Sequence, residues 1–154
     1  MENTEHTQLR ESLRAAERAE AAPWIDYPPT PAWYPVSVAL WAAALTMSFA
    51  IESTPVRLVV VFALVGLELG FIVWYRRYRG TMPAGKVPPE LARPFYGFMA
   101  ANLAIAGGAL LIARTSTVWA AAIFVFVVVI PSLVWYERSY ARAAARTRAR
   151  LDAA

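Results

Sequence analysis

The chain has 154 residues, of which 58% are hydrophobic and 17% are charged, whereas a soluble domain carries about 25% charged residues. It contains no cysteine and one histidine, His6, so the composition excludes disulfides, iron–sulfur clusters, bis-histidine haem and zinc sites built on histidine. The formal net charge is +4, and the charged residues lie mainly between long apolar runs.

Residues 1–34 form a polar leader without the pattern of a signal peptide, so we expect the first apolar run to stay as an anchor. Residues 4–22 predict a short charged helix, solvated or lying on a surface, which Pro23 ends. Residues 23–35 contain five prolines, which favour an extended segment. A proline-rich ligand for another domain is one interpretation. The other is a collar in the membrane headgroup layer, which suits its aromatic side chains Trp24, Tyr27, Trp33 and Tyr34.

Four apolar runs follow the leader. At 1.5 Å per residue each run spans about 27 Å or more as a helix, close to the ~30 Å hydrocarbon core of a bilayer. Several helices that are apolar over their whole circumference do not suit a soluble protein. We therefore predict an all-α integral membrane protein with four transmembrane helices in two antiparallel hairpins. This bundle covers residues 35–136, with spans at about 35–52, 56–75, 95–114 and 117–136.

One basic segment precedes the third span, and another follows the fourth span. Residues 76–94 contain several glycines and prolines, which predicts a loop with little regular structure, and residues 137–154 continue the fourth span as a basic helix. Thirteen of the 15 Lys and Arg lie in the leader, this loop and the tail, whereas the two short turns hold only Arg57 and Arg114. The positive-inside rule therefore predicts that both termini are cytoplasmic. The basic residues are almost all arginine, and alanine is abundant, which suggests a GC-rich bacterial genome. We therefore expect the membrane to be a bacterial plasma membrane.

The two halves of the chain resemble each other at an offset of 61 residues. The segment FIVWYRRY, residues 71–78, then falls on SLVWYERS, residues 132–139. Because each half is one hairpin, both would insert the same way up, as a parallel internal repeat about an axis along the membrane normal. The alternative is shared interface chemistry, since aromatic residues followed by arginine are typical of an inner membrane boundary.

The second span carries a GxxxG step and one acid. Gly66 and Gly70 share a helix face and allow close approach of a neighbouring backbone. Ala104 and Gly108 on the third span are also small residues four positions apart, and we expect them to pack in the same way. Glu68 lies about 200° from Gly66 around the helix. We expect the glycine face to pack within its own hairpin or against the repeat, which leaves the Glu68 face for a dimer or a partner protein.

Glu68 lies near mid-depth, where a charged side chain facing lipid costs about 2.5–3.5 kcal/mol. We therefore expect its carboxyl to be protonated and hydrogen-bonded within the protein. One candidate partner is Asn102 on the third span. Another is the carbonyl of Val127, which Pro131 leaves without its helical donor, and Ser132 is adjacent. These residues either tie helices together or form a working site.

Arginines at the predicted cytoplasmic boundary favour contact with anionic lipid headgroups. They are Arg76, Arg77, Arg79, Arg138, Arg142 and Arg146. The sequence contains no phosphate loop, metal-ligand cluster, catalytic triad pattern or nucleic-acid motif. We therefore expect no cofactor, no bound metal, no nucleic-acid partner and no enzymatic activity.

Two functions remain open at this point. The first is a binding or accessory module that packs with itself, as a homo-oligomer, or with a larger membrane complex. The second is a small proton-coupled transporter, in which Glu68 exchanges a proton for a cationic or neutral small molecule. The first needs only packing motifs, interfacial aromatic residues and basic segments, all of which the sequence contains. The second also needs a cavity beside Glu68.

Overall fold

The computed structural model of the chain describes residues 2–26, 30–79 and 87–153. All regular secondary structure in these ranges is helical, as the sequence predicts. A short 3₁₀ turn, Ser48–Ala50, extends the second helix. The α-helices are α1 Glu2–Ile25, α2 Tyr34–Met47, α3 Thr54–Arg79, α4 Pro89–Thr115 and α5 Val118–Ala153.

Three of these helices, α3, α4 and α5, are long and apolar enough to cross a membrane. They support the predicted class, an all-helical membrane-embedded protein. α2 and its 3₁₀ turn form a shorter apolar helix, Tyr34–Ala50, which rises about 25 Å. The apolar part of α5 ends at Tyr136, and residues 137–153 continue the same helix as a basic segment, which we call the tail.

The first helix does not end at Pro23, so the predicted boundary is wrong. α1 runs through Pro23 to Ile25, and the Asp26 amide still donates to the Ala22 carbonyl at 3.0 Å. A proline within a helix costs about 3 kcal/mol. Trp24 and Ile25 are both buried, and burying such side chains gains about 1.5–3 kcal/mol each, which offsets that cost.

The segment between α3 and α4 is more helical than the sequence suggests. α3 continues to Arg79 and α4 begins at Pro89, so the expectation of little regular structure is wrong for 76–79 and 89–94, while 80–86 lie outside the described residues. A proline in the first turn of a helix costs little, because its missing N–H has no acceptor there. Leu91, only 1% exposed, anchors this first turn.

The tail and α1 pack against each other as antiparallel helices. One side of the tail buries Ala144 and Leu151 against Ala21 and Ile25 of α1. The end of α1 is therefore packed on the tail, because small and apolar side chains recur on one side of the tail, whereas residues 11–20 of α1 are exposed. The expectation of a helix that is solvated or lies on a surface stays a prediction. Trp24 is buried in a cluster with Leu91 and Ala143. Tyr27 is outside the described residues, and the headgroup collar stays a prediction.

Ion pairs at the far end of the tail hold three segments together. Arg150 lies 2.6 Å from Glu17 of α1 and 2.6 Å from Glu90 of α4. The Thr147 hydroxyl also donates to Glu90, at 3.3 Å. Arg150 of the tail thus contacts both α1 and the first turn of α4.

α5 is the central helix of the bundle, because both α2 and α4 pack along it. The shared core is made largely of small and β-branched side chains, which let the backbones approach. Its buried members are Ala39, Ala109, Ala121, Val125, Val129 and Leu133.

Aromatic rings gather at one end of the bundle, which we call the aromatic end. Tyr136 of α5 stacks on Phe98 of α4 with ring centroids 4.4 Å apart, and Tyr34 of α2 stacks on Phe71 of α3 at 5.9 Å. The starts of α2 and α4 therefore lie level with the ends of α3 and of the apolar part of α5. The helices alternate in direction, as two hairpins require.

The two hairpins pack differently. α4 and α5 are in contact along their length, whereas α3 joins the rest of the bundle mainly through α2 and the 3₁₀ turn. The 61-residue internal repeat therefore stays a prediction.

Candidate functional site

α3 is held to α2 at a few specific points. The indole N–H of Trp41 donates to the main-chain carbonyl of Leu64 at 3.0 Å. Nearer the aromatic end, Phe71 packs on the rings of Tyr34 and Trp33, with centroids 5.9 and 6.4 Å apart. Trp41 was not among the predicted site residues, although an indole N–H in an apolar helix needs an acceptor and so signals a contact.

Glu68 lies on the same side of α3 as these contacts. It follows Leu64 by four residues and precedes Phe71 by three and Tyr75 by seven, so the four side chains share one face. Tyr75 is only 6% exposed. We call this the inner face of α3. Sequence reasoning expected the glycines on the packed face and Glu68 on the free one, and the structure reverses that assignment.

The opposite side of α3 carries Gly66 and Gly70, and we call it the outer face. Its large side chains are strongly exposed, with Val59 at 69%, Phe62 at 70% and Val73 at 52%. No atom of another helix lies within 4 Å of the place where a methyl group would be added at either glycine. The GxxxG step is therefore open, because no described residue of another helix packs on it.

The carboxyl of Glu68 is exposed even though it points from the inner face. It makes no hydrogen bond or ion pair within the described residues, so the expected bonds to Asn102 and to the Val127 carbonyl are not formed. Asn102 is exposed on α4 and donates instead to its own helix, at the carbonyl of Phe98, 2.8 Å away. The helix geometry explains this difference, because α3 lies against α2 and not against α4.

The other predicted site residues lie on α4 and α5. Pro131 is exposed inside α5, and the hydroxyl oxygen of Ser132 is buried without a partner among the described residues. Ala104 is exposed on α4. Gly108 does pack: a methyl group added there would lie 3.0 Å from the Phe124 ring of α5. The structure therefore does not gather Glu68, Asn102, Pro131 and Ser132 into one site.

Glu137 is a carboxyl group that sequence reasoning missed. It lies one residue beyond the apolar part of α5, and its Oε1 is buried without a hydrogen bond among the described residues. Burial raises the pKa of Glu137, and a hydrogen bond from Thr30 lowers it in part. An acid that follows Trp-Tyr at the end of a span is a signal that could have pointed to it.

The arginines of the predicted headgroup set divide into two groups. Arg76 and Arg77 are exposed at the end of α3, and Arg79 is the last residue of that helix. Arg138, Arg142 and Arg146 are exposed along one side of the tail. They lie on a different side of the tail from Ala144 and Leu151, which α1 covers.

Comparison with family models, with curated proteins and with solved structures finds no match for this chain.

Proposed function

We propose that the protein is a membrane-embedded binding or accessory module whose outer α3 face packs against a helix of a second copy or of a larger membrane complex. The observation that carries the proposal is the open GxxxG step: nothing from another helix approaches Gly66 or Gly70 within 4 Å. Large side chains on the same face are also strongly exposed, with Val59 at 69% and Phe62 at 70%. Helix association in lipid depends on close backbone approach, which glycines four residues apart permit.

Site-directed cross-linking in native membranes tests this proposal, since the chain has no cysteine of its own. A cysteine at Val59 or Val73 reports on the outer face. We expect a product of about twice 17.0 kDa for a second copy, or a heavier adduct for a partner subunit. Adding Gly66→Ile should abolish either product and leave the thermal unfolding of the monomer unchanged. Cysteines that form no product in native membranes would contradict the proposal.

We further propose that α2 is a fourth span and that both termini lie in the cytoplasm of a bacterial cell. This rests on the alternating helix directions and on the thirteen-to-two distribution of basic residues. A cysteine at Ser116 should react with an impermeant thiol reagent in intact cells. A cysteine at Thr81, outside the described residues, should be protected. The opposite labelling pattern would overturn the orientation.

A proton-coupled transporter is the second candidate. The observation in its favour is that Glu68 is exposed and makes no hydrogen bond or ion pair within the described residues. Its carboxyl is therefore available to exchange a proton or to bind a cation. In proteoliposomes, Glu68→Gln should then abolish substrate movement driven by a pH gradient, because an amide does not exchange protons. Transport that survives this substitution would exclude the mechanism.

A further inference from the structure

A group of arginines flanks the line of contact between α4 and α5 at the aromatic end, and we call this line the seam. A methyl group added at Gly97 of α4 would lie 3.0 Å from the ring of Trp135 of α5, which fixes the pairing of the two helices there. Arg93 precedes Gly97 by one turn and so lies on the same side of α4. Arg138 and Arg142 follow Trp135 by three and seven residues, on its side of α5.

The antiparallel register places these arginines at nearly one depth. Phe98 stacks on Tyr136, and Leu91 lies with Ala143 in one apolar cluster. Arg93 therefore falls level with the turn between Arg138 and Arg142. Three exposed arginines from two helices thus lie at a similar depth at the end of the seam.

No carboxylate of the described residues neutralises this group. The ion pairs of the tail are made by Arg18, Arg148 and Arg150. Arg142 donates only to the Arg138 carbonyl and the Ser139 hydroxyl. Of the nearby acids, Glu90 binds Arg150, and Glu137 forms no ion pair with any of the three arginines among the described residues. Clustered like charges without a counter-charge favour binding of an anion.

The surroundings of the arginines match the edge of a bilayer. Trp135 is 47% exposed beside them, as expected for an indole at headgroup level. On the far side of Trp135 the same face of α5 continues through Pro131 and Val127, both exposed and apolar. Such a strip suits an acyl chain, which a soluble anion does not have.

Depth separates Arg138 and Arg142 from Arg146. The headgroup layer extends roughly 5–8 Å beyond the hydrocarbon core. At 1.5 Å per residue, Arg138 lies about 3 Å and Arg142 about 9 Å past Tyr136, whereas Arg146 lies about 15 Å past it. With α5 parallel to the membrane normal, Arg138 therefore lies within the headgroup layer and Arg142 at about its outer limit, whereas Arg146 lies well beyond it.

We propose that the end of the α4–α5 seam is a binding site for one anionic phospholipid, whose phosphate is held by Arg93, Arg138 and Arg142 and whose acyl chain lies along Trp135, Pro131 and Val127. Arginine suits this role, because its planar fork donates two hydrogen bonds to one phosphate. The site does not depend on the proposed packing of α3, which is on the other side of α2.

Native mass spectrometry of the full chain in detergent tests the site, with phosphatidylglycerol and phosphatidylcholine as probes. We expect one phosphatidylglycerol to be retained in preference to phosphatidylcholine. Arg93→Gln with Arg138→Gln should weaken its binding about fivefold for each arginine, or roughly 25-fold together. Inorganic phosphate should not compete at millimolar concentration.

The matched control is Arg146→Gln with Arg114→Gln, which removes the same charge from outside the site and should leave binding unchanged. Thermal unfolding without added lipid checks that each variant is folded. If the glutamine variant does not fold, Arg93→Lys with Arg138→Lys keeps the charge and should weaken binding only partly. Equal retention of the two lipids, equal losses in site and control variants, or displacement by inorganic phosphate would each overturn the proposal.

Discussion

The hydroxyl of Tyr140 donates a hydrogen bond to the main-chain carbonyl oxygen of Trp24 at 2.6 Å. The acceptor is in the last turn of α1, where carbonyls have no helical donor of their own. The bond therefore holds the last turn of α1 against the tail. Because donor and acceptor are 116 residues apart, it couples the two termini of the chain.

Removing this bond should loosen the packing of α1. We expect Tyr140→Phe to lower the free energy of unfolding by about 1 kcal/mol, since it leaves the Trp24 carbonyl without its donor. Chemical unfolding in detergent, followed by tryptophan fluorescence, measures the change. Tyr96→Phe is the control, because Tyr96 is 66% exposed and should be silent. Equal effects of the two substitutions would contradict the proposed coupling.

The stability difference between the wild type and Tyr140→Phe should depend on pH. Burial, followed by the neighbouring Tyr136, raises the pKa of Tyr140 to about 12 from the ordinary value of 10.0. The contribution of the neutral phenol is therefore complete below pH 10 and is lost as the pH rises towards 12. The stability difference between the wild type and Tyr140→Phe should follow that course.

The ion pair between Glu90 and Arg150 should stop contributing to stability when Glu90 is protonated in acid. Burial raises the pKa of Glu90, but a main-chain hydrogen bond and the Arg150 guanidinium outweigh it and hold the pKa below 4.5. A lowered pKa contributes stability above the unfolded value, and this is lost as the pH falls through the folded value. Glu90→Gln should therefore be less stable than the wild type at pH 7, with the difference shrinking as the pH falls below 4.5. A difference that persists in acid would show that the charge is not its source.

Glu137 should show the opposite pH dependence. Burial raises its pKa above 4.5, so folding favours the protonated acid, and this contribution is lost as the pH rises through the folded value. Glu137→Gln imitates the neutral acid and should gain stability relative to the wild type as the pH rises above 4.5. Thermal unfolding across a pH series measures the gain. Glu52→Gln, at an exposed position, should show none.

Adjacent glycines on α4 test the packing against α5. A methyl group at Gly108 would lie 3.0 Å from the Phe124 ring, whereas one at Gly107 would meet nothing within 4 Å. Gly108→Ile should destabilise the protein by about 1–3 kcal/mol, the usual cost of overpacking a core. Gly107→Ile should be neutral or slightly stabilising, since isoleucine is a better helix former than glycine. Equal effects of the two substitutions would show that α4 is rotated differently about its own axis, so that a different face contacts α5.

The sequence by itself predicted the helical class, the long apolar helices and the continuation of α5 into a basic tail. These features depend on the length of apolar runs and on the positions of charged residues, which are local properties of the chain. The four-span count, the membrane orientation and the repeat remain predictions from the same patterns. Helix ends at Pro23 and in 89–94 were misplaced, because burial of Trp24 and Leu91 against the tail outweighs local preference.

Only the tertiary structure decided which sides of the helices meet. Gly66 and Glu68 lie on opposite faces of α3, and nothing local determines which face touches α2. That choice depends on distant contacts, namely the Trp41 bond to Leu64 and the stacking of Tyr34 on Phe71. The grouping of Arg93 with Arg138 and Arg142 has the same origin. This grouping depends on how α4 and α5 are aligned where they pack, and the spacing of residues along one helix does not determine that alignment.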